Sequence, residues 1–115
     1  FDLICLAPTL AIIGDYKTGK FKDYAPENGM GQLELSSAIA LSLWDIDKVK
    51  TIYFYVDHKK TLQKEYGRDD KTRLVDHFRA EHDKVNAEEN FDPKTNTFCN
   101  WCEATKAQCP KSRKL

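Results

Sequence analysis

No stretch of this chain approaches the ~20 consecutive apolar residues that a bilayer-spanning helix requires, and its first residues show no signal-peptide pattern. Neither sign of charge is in excess: 18 Lys and Arg balance 18 Asp and Glu. That balance argues against a broad basic surface, so contact with nucleic acid is expected at local patches, where the two signs can still be segregated. Cysteine is almost missing from the first 98 positions, where Cys5 stands alone, and then three cysteines fall in the last 17 residues. Such clustering argues against a dispersed disulfide framework and for a metal or cluster site in a reducing compartment. What is present is an ordered globular composition, with 41% apolar and 31% charged residues in 115 positions. This suits one domain with a modest core. The sequence opens at Phe1 and enters strand-like sequence by its second residue, which reads as a fragment or processed product.

Periodicity gives the order of elements. "FDLICL" and "LAIIGDYK" are short, β-branched-rich runs separated by "APT" and predict an antiparallel hairpin. "TGKFKDYAPENGMG", with four Gly and Pro breakers, predicts a loop. In "QLELSSAIALSLW" the spacing of Leu35, Ile39 and Leu43 predicts an amphipathic helix. "VKTIYFYVDH" and "KTLQKEY" predict a strand pair joined through "DHKK". A second helix is expected from Asp69 or Asp70 through Leu74, Phe78 and Val85 as far as Pro93. A short helix is expected after Cys102. The order ββαββα plus a cysteine tail predicts an α+β fold, a mixed sheet with helices against it. Residues 1–92 would form its core and 93–115 the tail.

The stretch "GDYKTGK" ends an apolar strand with an acid and a base on one face, since Asp15 and Lys17 are two apart. If the hairpin closes on a two-residue turn at Pro8-Thr9, Asp2 falls opposite Asp15, with Cβ atoms roughly 5 Å apart. Two such carboxylates repel each other, and a hard divalent cation, Mg²⁺ or Mn²⁺, offsets the cost. Lys17 can then hold a water nucleophile or compensate charge developing at phosphorus, as phosphodiester hydrolysis requires. Taken alone, Asp-x-Lys is more often a strand-end ion pair meeting solvent.

These strands resemble the active-site strands of the PD-(D/E)XK nucleases, in particular the RecB-like and Cas4-like branch. That branch carries an aspartate on one strand and Asp/Glu-x-Lys-Thr-Gly on the next. The resemblance falls on Asp2, Asp15 and Lys17, with Thr18-Gly19 completing the signature. It implies a restriction-endonuclease-like core, metal held by Asp2, Asp15 and the main-chain carbonyl of Tyr16, and Lys17 as the catalytic lysine. The family's Gln-x-x-x-Tyr at the start of the next helix is met here by "QLELS". Gln32 matches and would contact the scissile phosphate or DNA backbone, while Ser36 replaces the tyrosine. The histidine and initial helix that precede the first aspartate in the family are not in this sequence.

In "CNWCEATKAQCP", Cys99, Cys102 and Cys109 have the C-x2-C-x6-C spacing of soft-metal ligands. The alternative is that Cys99 and Cys102 are small buried residues. The tail resembles that of the iron–sulfur members of the same branch, which implies a [4Fe–4S] cluster with a fourth ligand outside this chain, or else Zn²⁺. Cys5 falls on the strand face opposite Asp2 and is expected in the core. His58, His77 and His82 read as surface histidines, and Trp44 and Trp101 as core anchors. Lys20, Lys22, Lys59 and Lys60 are scattered candidates for a DNA groove, and "RDDKTRLVDHFRAEHDK" reads as a solvated helix face.

The resemblance implies a Mg²⁺- or Mn²⁺-dependent deoxyribonuclease, similar to exonucleases of DNA recombination, repair or phage DNA processing. Its partner would be DNA, as single strands or duplex ends, with no membrane contact. Its setting would be cytoplasmic, in a bacterium or a phage-infected host. Two alternatives stand beside it: a non-catalytic nucleic-acid-binding domain of the same fold, and a small zinc-binding protein in which the acids are incidental.

Overall fold

The computed structural model describes residues 1–21 and 31–114. The expected loop "TGKFKDYAPENGMG", and Lys22 with it, lies largely outside the described residues. Residues Phe1–Asp83 form one compact unit and Lys84–Leu115 a second.

The first unit is built on a four-stranded sheet in the order β1-β2-β3-β4. The strands are β1 (Leu3–Leu6), β2 (Leu10–Lys17), β3 (Lys48–Tyr55) and β4 (Lys60–Gly67). Two hairpins, β1/β2 and β3/β4, are antiparallel, and β2 pairs with β3 in parallel. A parallel pair cannot be joined by a tight turn, so the chain crosses over through helix α1 (Gln32–Leu43). The first hairpin does close on Pro8-Thr9: the Ala7 amide donates to the Leu10 carbonyl at 2.8 Å, and the Leu10 amide returns a bond to Ala7 at 3.4 Å. The Thr9 carbonyl accepts from the Asp47 and Lys48 amides at 2.8 and 3.1 Å, tying that turn to the start of β3. The mixed sheet with two helices is the α+β, restriction-endonuclease-like architecture expected from the sequence.

Alternation along paired strands sorts the side chains by face. Ala11, Ile13, Asp15 and Lys17 lie beside Val49, Thr51, Tyr53 and Tyr55. On this face Ala11, Ile13 and Val49 enter the core with Ala38, Ala40, Leu41, Ile46 and Leu74. Leu74 comes from the second helix, α2 (Lys71–Ala87), and Trp44, Tyr66, Val75 and Phe78 pack around the cluster. The opposite face carries Leu3, Cys5, Ile12, Gly14, Tyr16, Ile52 and Phe54, and at Gly14 a Cβ would come within 2.7 Å of the Phe54 ring.

Several expectations are corrected here. The stripe Leu35, Ile39 and Leu43 is exposed, and α1 instead buries Leu33, Glu34, Ser36, Ser37, Ala38, Ala40 and Leu41. The helix is apolar on nearly every side, so periodicity marks no unique inner face. Small residues win the sheet side because they let the helix axis approach closely, and the Ser37 hydroxyl is satisfied by the Leu33 carbonyl at 2.8 Å. Cys5 is exposed rather than in the core, because β1 is an edge strand whose four residues are all exposed. α2 stops at Ala87, ahead of the Pro93 limit, and Val85 near its end is exposed.

In the second unit the short helix precedes Cys102, as a 3₁₀ turn over Thr97–Asn100, and residues after it form a Thr105–Lys114 bridge. Trp101 is not a core anchor: it is 72% exposed. Among the described residues every buried apolar side chain lies at or before Leu74, so the tail offers no apolar layer for an indole to enter.

The corrected helix face is testable by paired truncations. Leu41→Ala should cost about 3 kcal/mol, as buried leucines do, whereas Leu43→Ala should change stability by no more than about 0.5 kcal/mol. Urea unfolding of the two variants measures both.

Candidate active site

The C-terminal end of β2 meets the N-terminal turn of α1. Alternation turns Asp15 and Lys17 to the helix side, and Gln32, the first residue of α1, hangs over them. The Lys17 ammonium lies 2.6 Å from Asp15 Oδ2 and donates to Gln32 Oε1 at 2.9 Å. Gln32 Nε2 donates to Asp15 Oδ1 at 3.1 Å, closing a three-membered ring of side chains. Asp15 Oδ2 is buried and has no aligned hydrogen-bond donor; its contact with Lys17 is an ion pair without hydrogen-bond geometry.

The strand register extends the pairing of Leu3 with Gly14 to Asp2 and Asp15. Asp2 Oδ2 accepts from the Tyr16 amide at 2.8 Å, which holds that carboxylate one peptide unit from Asp15. The Tyr16 side chain points to the other face of the sheet, tilted on Phe54 with ring centroids 5.4 Å apart. Ser36 is buried under α1 while Gln32 is exposed, so the serine takes no part in the ring.

Two supports were not visible in sequence. The first is Glu34, only 2% exposed. One carboxylate oxygen accepts from the Gly31 amide at 2.8 Å; the other accepts from Tyr66 Oη at 2.7 Å and from the Lys64 ammonium. The first turn of α1, which carries Gln32, is thereby pinned to β4. Burial alone would raise the Glu34 pKa, but the bonds from Lys64, Tyr66 and the backbone outweigh it and hold the carboxyl below the usual range. The second support is the pair Asp57 and His58. Asp57 Oδ2 accepts from the Gly19 amide at 3.2 Å, and His58 Nε2 lies 2.8 Å from the Gly19 carbonyl. A carbonyl only accepts, so Nε2 carries a proton. Gly19 has φ 90°, a left-handed conformation that suits glycine, and the clamp fixes the turn that follows Lys17.

Tyr53, on β3 beside Asp15, completes the surroundings. Its hydroxyl donates to Gln32 Oε1 at 3.3 Å, and its ring lies under the Lys17 ammonium, 4.7 Å from Nζ to centroid. Burial, then the negative charge of Asp15, pushes its phenol up to about 12, so it stays a neutral donor. Lys60 is placed over the Phe21 ring at 4.8 Å.

Asp15 Oδ2, buried and lacking an aligned donor, and the Asp2 carboxylate bonded to the next amide are hard oxygen donors. That chemistry fits a hard divalent cation. The cysteines do not fit a cluster in the same way. Among the described residues no group of three His, Cys, Asp or Glu side chains is gathered to hold a metal. Cys99 Sγ instead accepts from the Asn96 amide at 3.3 Å, and Cys102 is exposed.

Asp15 and Lys17 at the end of β2, Gln32 from the crossover helix and Asp2 on the Tyr16 amide thus meet at one place. A family model, that of the PD-(D/E)XK nuclease superfamily, matches residues 1–110. The chain belongs to this superfamily. Its members are hydrolases acting on nucleic acid, typically with Mg²⁺ or a similar divalent metal. No curated protein and no solved structure matches the chain significantly. No helix among the described residues is long and apolar enough to cross a membrane.

The lowered Glu34 pKa sets the sign of a pH effect. A group whose folded pKa is depressed adds stability above its unfolded pKa, near 4.5, and that stability is lost as pH falls through the folded value. Glu34→Gln should therefore lower the melting temperature at pH 7 and flatten its fall between about pH 5 and pH 3. Calorimetry across that range checks both signs.

Proposed function

We propose that this chain is a divalent-metal-dependent DNA nuclease of the RecB-like and Cas4-like branch, acting as an exonuclease in DNA recombination, repair or phage DNA processing. The observation that carries the reading is the closed ring of Asp15, Lys17 and Gln32 at the end of β2, with Asp2 held beside it by the Tyr16 amide.

Asp2, Asp15 and the Tyr16 carbonyl would hold Mg²⁺ or Mn²⁺, which when bound neutralises charge on a phosphate and lowers the pKa of a bound water. Lys17 keeps a positive charge at the same place and can orient the attacking water or offset charge gained by the phosphate in the transition state. In the reaction a bond forms from a water oxygen to phosphorus and the phosphorus–oxygen bond to the leaving nucleotide breaks; the hydroxyl stays on phosphorus and the other water proton ends on the leaving oxygen. Gln32 spans Asp15 and Lys17 from the side of the crossover helix. Its amide can exchange one of those bonds for a contact to the phosphate backbone when DNA enters. The zero net charge suits a partner engaged at this local patch rather than along a basic stripe.

The test is digestion of end-labelled single-stranded and duplex DNA with Mn²⁺. EDTA should abolish cleavage, and Lys17→Ala should lower kcat by at least about a hundredfold, the scale of losing one positioned charge-stabilising group. The product ladder then gives polarity and preferred end. Binding without cleavage in Mn²⁺ or Mg²⁺ would overturn catalysis in favour of a nucleic-acid-binding domain.

A further inference from the structure

We propose that Tyr53 is a positioning residue of the site, holding the Gln32 amide and the Lys17 ammonium in register through its hydroxyl and its ring face. This rests on the nuclease reading for its kinetic consequence, though not for its geometry.

The argument starts from what each partner can offer. The Lys17 ammonium has donors only, so it sets the carbonyl end of the Gln32 amide toward itself, at 2.9 Å, and the NH₂ end toward Asp15, at 3.1 Å. Gln32 Oε1 has room for a second donor, and the Tyr53 hydroxyl fills it at 3.3 Å. Removing that hydroxyl leaves Lys17 as the only donor on the oxygen among the bonds described. Lys17 has three tethers: the Asp15 carboxylate at 2.6 Å, the Gln32 carbonyl and the Tyr53 ring face at 4.7 Å. Asp15 is also a candidate metal ligand, and a cation there competes with the ammonium for the same carboxylate. The other two tethers do not involve a carboxylate, and Tyr53 contributes to both: directly through its ring and indirectly through Gln32. An ammonium over an aromatic face is attracted by the negative face of the ring's quadrupole.

Tyr53 is itself well fixed. Its backbone neighbours Asp15 in the parallel ladder. Its ring meets Tyr55 edge-on at 6.2 Å. The side chain therefore acts as a rigid strut standing on β3, reaching the two residues that come from β2 and α1.

The experiment uses Tyr53→Phe, which keeps the ring, and Tyr53→Leu, which removes it, each in the parent and in a Gln32→Ala background. On DNA with Mn²⁺, Tyr53→Phe should lower kcat about tenfold with KM within about twofold, and Tyr53→Leu should lower it roughly a hundredfold. Because the hydroxyl acts through Gln32, Tyr53→Phe should cost nothing further in the Gln32→Ala background. Independently of cleavage, the side-chain amide resonances of Gln32 in the metal-free protein should move in Tyr53→Phe, with the melting temperature held. Unchanged Gln32 resonances would overturn the positioning role whether or not the protein cuts DNA. So would a Tyr53→Phe effect that multiplies with Gln32→Ala. Absence of any cleavage by the parent would instead strike the nuclease reading, leaving the amide measurement to decide the geometry.

Discussion

The parallel ladder between β2 and β3 is the constraint on which the rest depends. It sets Asp15 beside Tyr53 and Lys17 beside Tyr55, and it obliges the chain to cross the sheet between them. The crossover is what brings Gln32 to the site. Were the two strands antiparallel neighbours joined by a turn, no helix would begin over the Asp15 carboxylate, and the lysine would end its strand in water. The chemistry of the site is thus a by-product of one pairing choice, made by strands whose partners lie 38 residues apart in the sequence.

That choice creates a secondary demand. A helix arriving at a sheet end-on has unsatisfied amides in its first turn, and Gln32 belongs to that turn. Glu34 meets the demand by accepting from Gly31 while its other oxygen is held by Tyr66 and Lys64 on β4. A carboxylate buried to this degree is costly when alone; here three donors surround it. The result is a stiff joint between α1 and β4 at the place where a loose helix end would let Gln32 swing away from Lys17.

Much of this was legible in the residues themselves. The hairpin register, with Leu3 opposite Gly14 and the turn at Pro8-Thr9, follows from two short apolar runs with little room between them. Asp15 and Lys17 share a face because alternation leaves no other choice. Tyr53 and Glu34 were not legible, since each depends on partners many residues away. A tyrosine inside "TIYFYV" looks like ordinary strand filling until the parallel register is known. His58 was readable only as a surface residue, because nothing local announces that it grips Gly19 from 39 positions off. The helix stripe Leu35, Ile39 and Leu43 misled for a different reason. α1 is apolar around most of its circumference, and the sheet selected the side whose small residues allow close approach. Trp101 misled too: its type suggests an anchor, yet among the described residues of the second unit no apolar side chain is buried.

The first strand has a thermodynamic meaning of its own. β1 forms one rim of the sheet, all of its residues are exposed, and Asp2 precedes it, tied by the bond from the Tyr16 amide. Asp15 stands on an interior strand paired on both sides, so the two acids differ in what it takes to keep them in place. Fraying of the rim would carry Asp2 away while leaving Asp15, Lys17 and Gln32 intact. Any ligand that engages both carboxylates must therefore supply the free energy of holding the rim closed, and its apparent affinity is reduced by the fraction of time the rim is open. Occupancy of the site and order of the chain's first strand are in this sense one equilibrium, read from two ends.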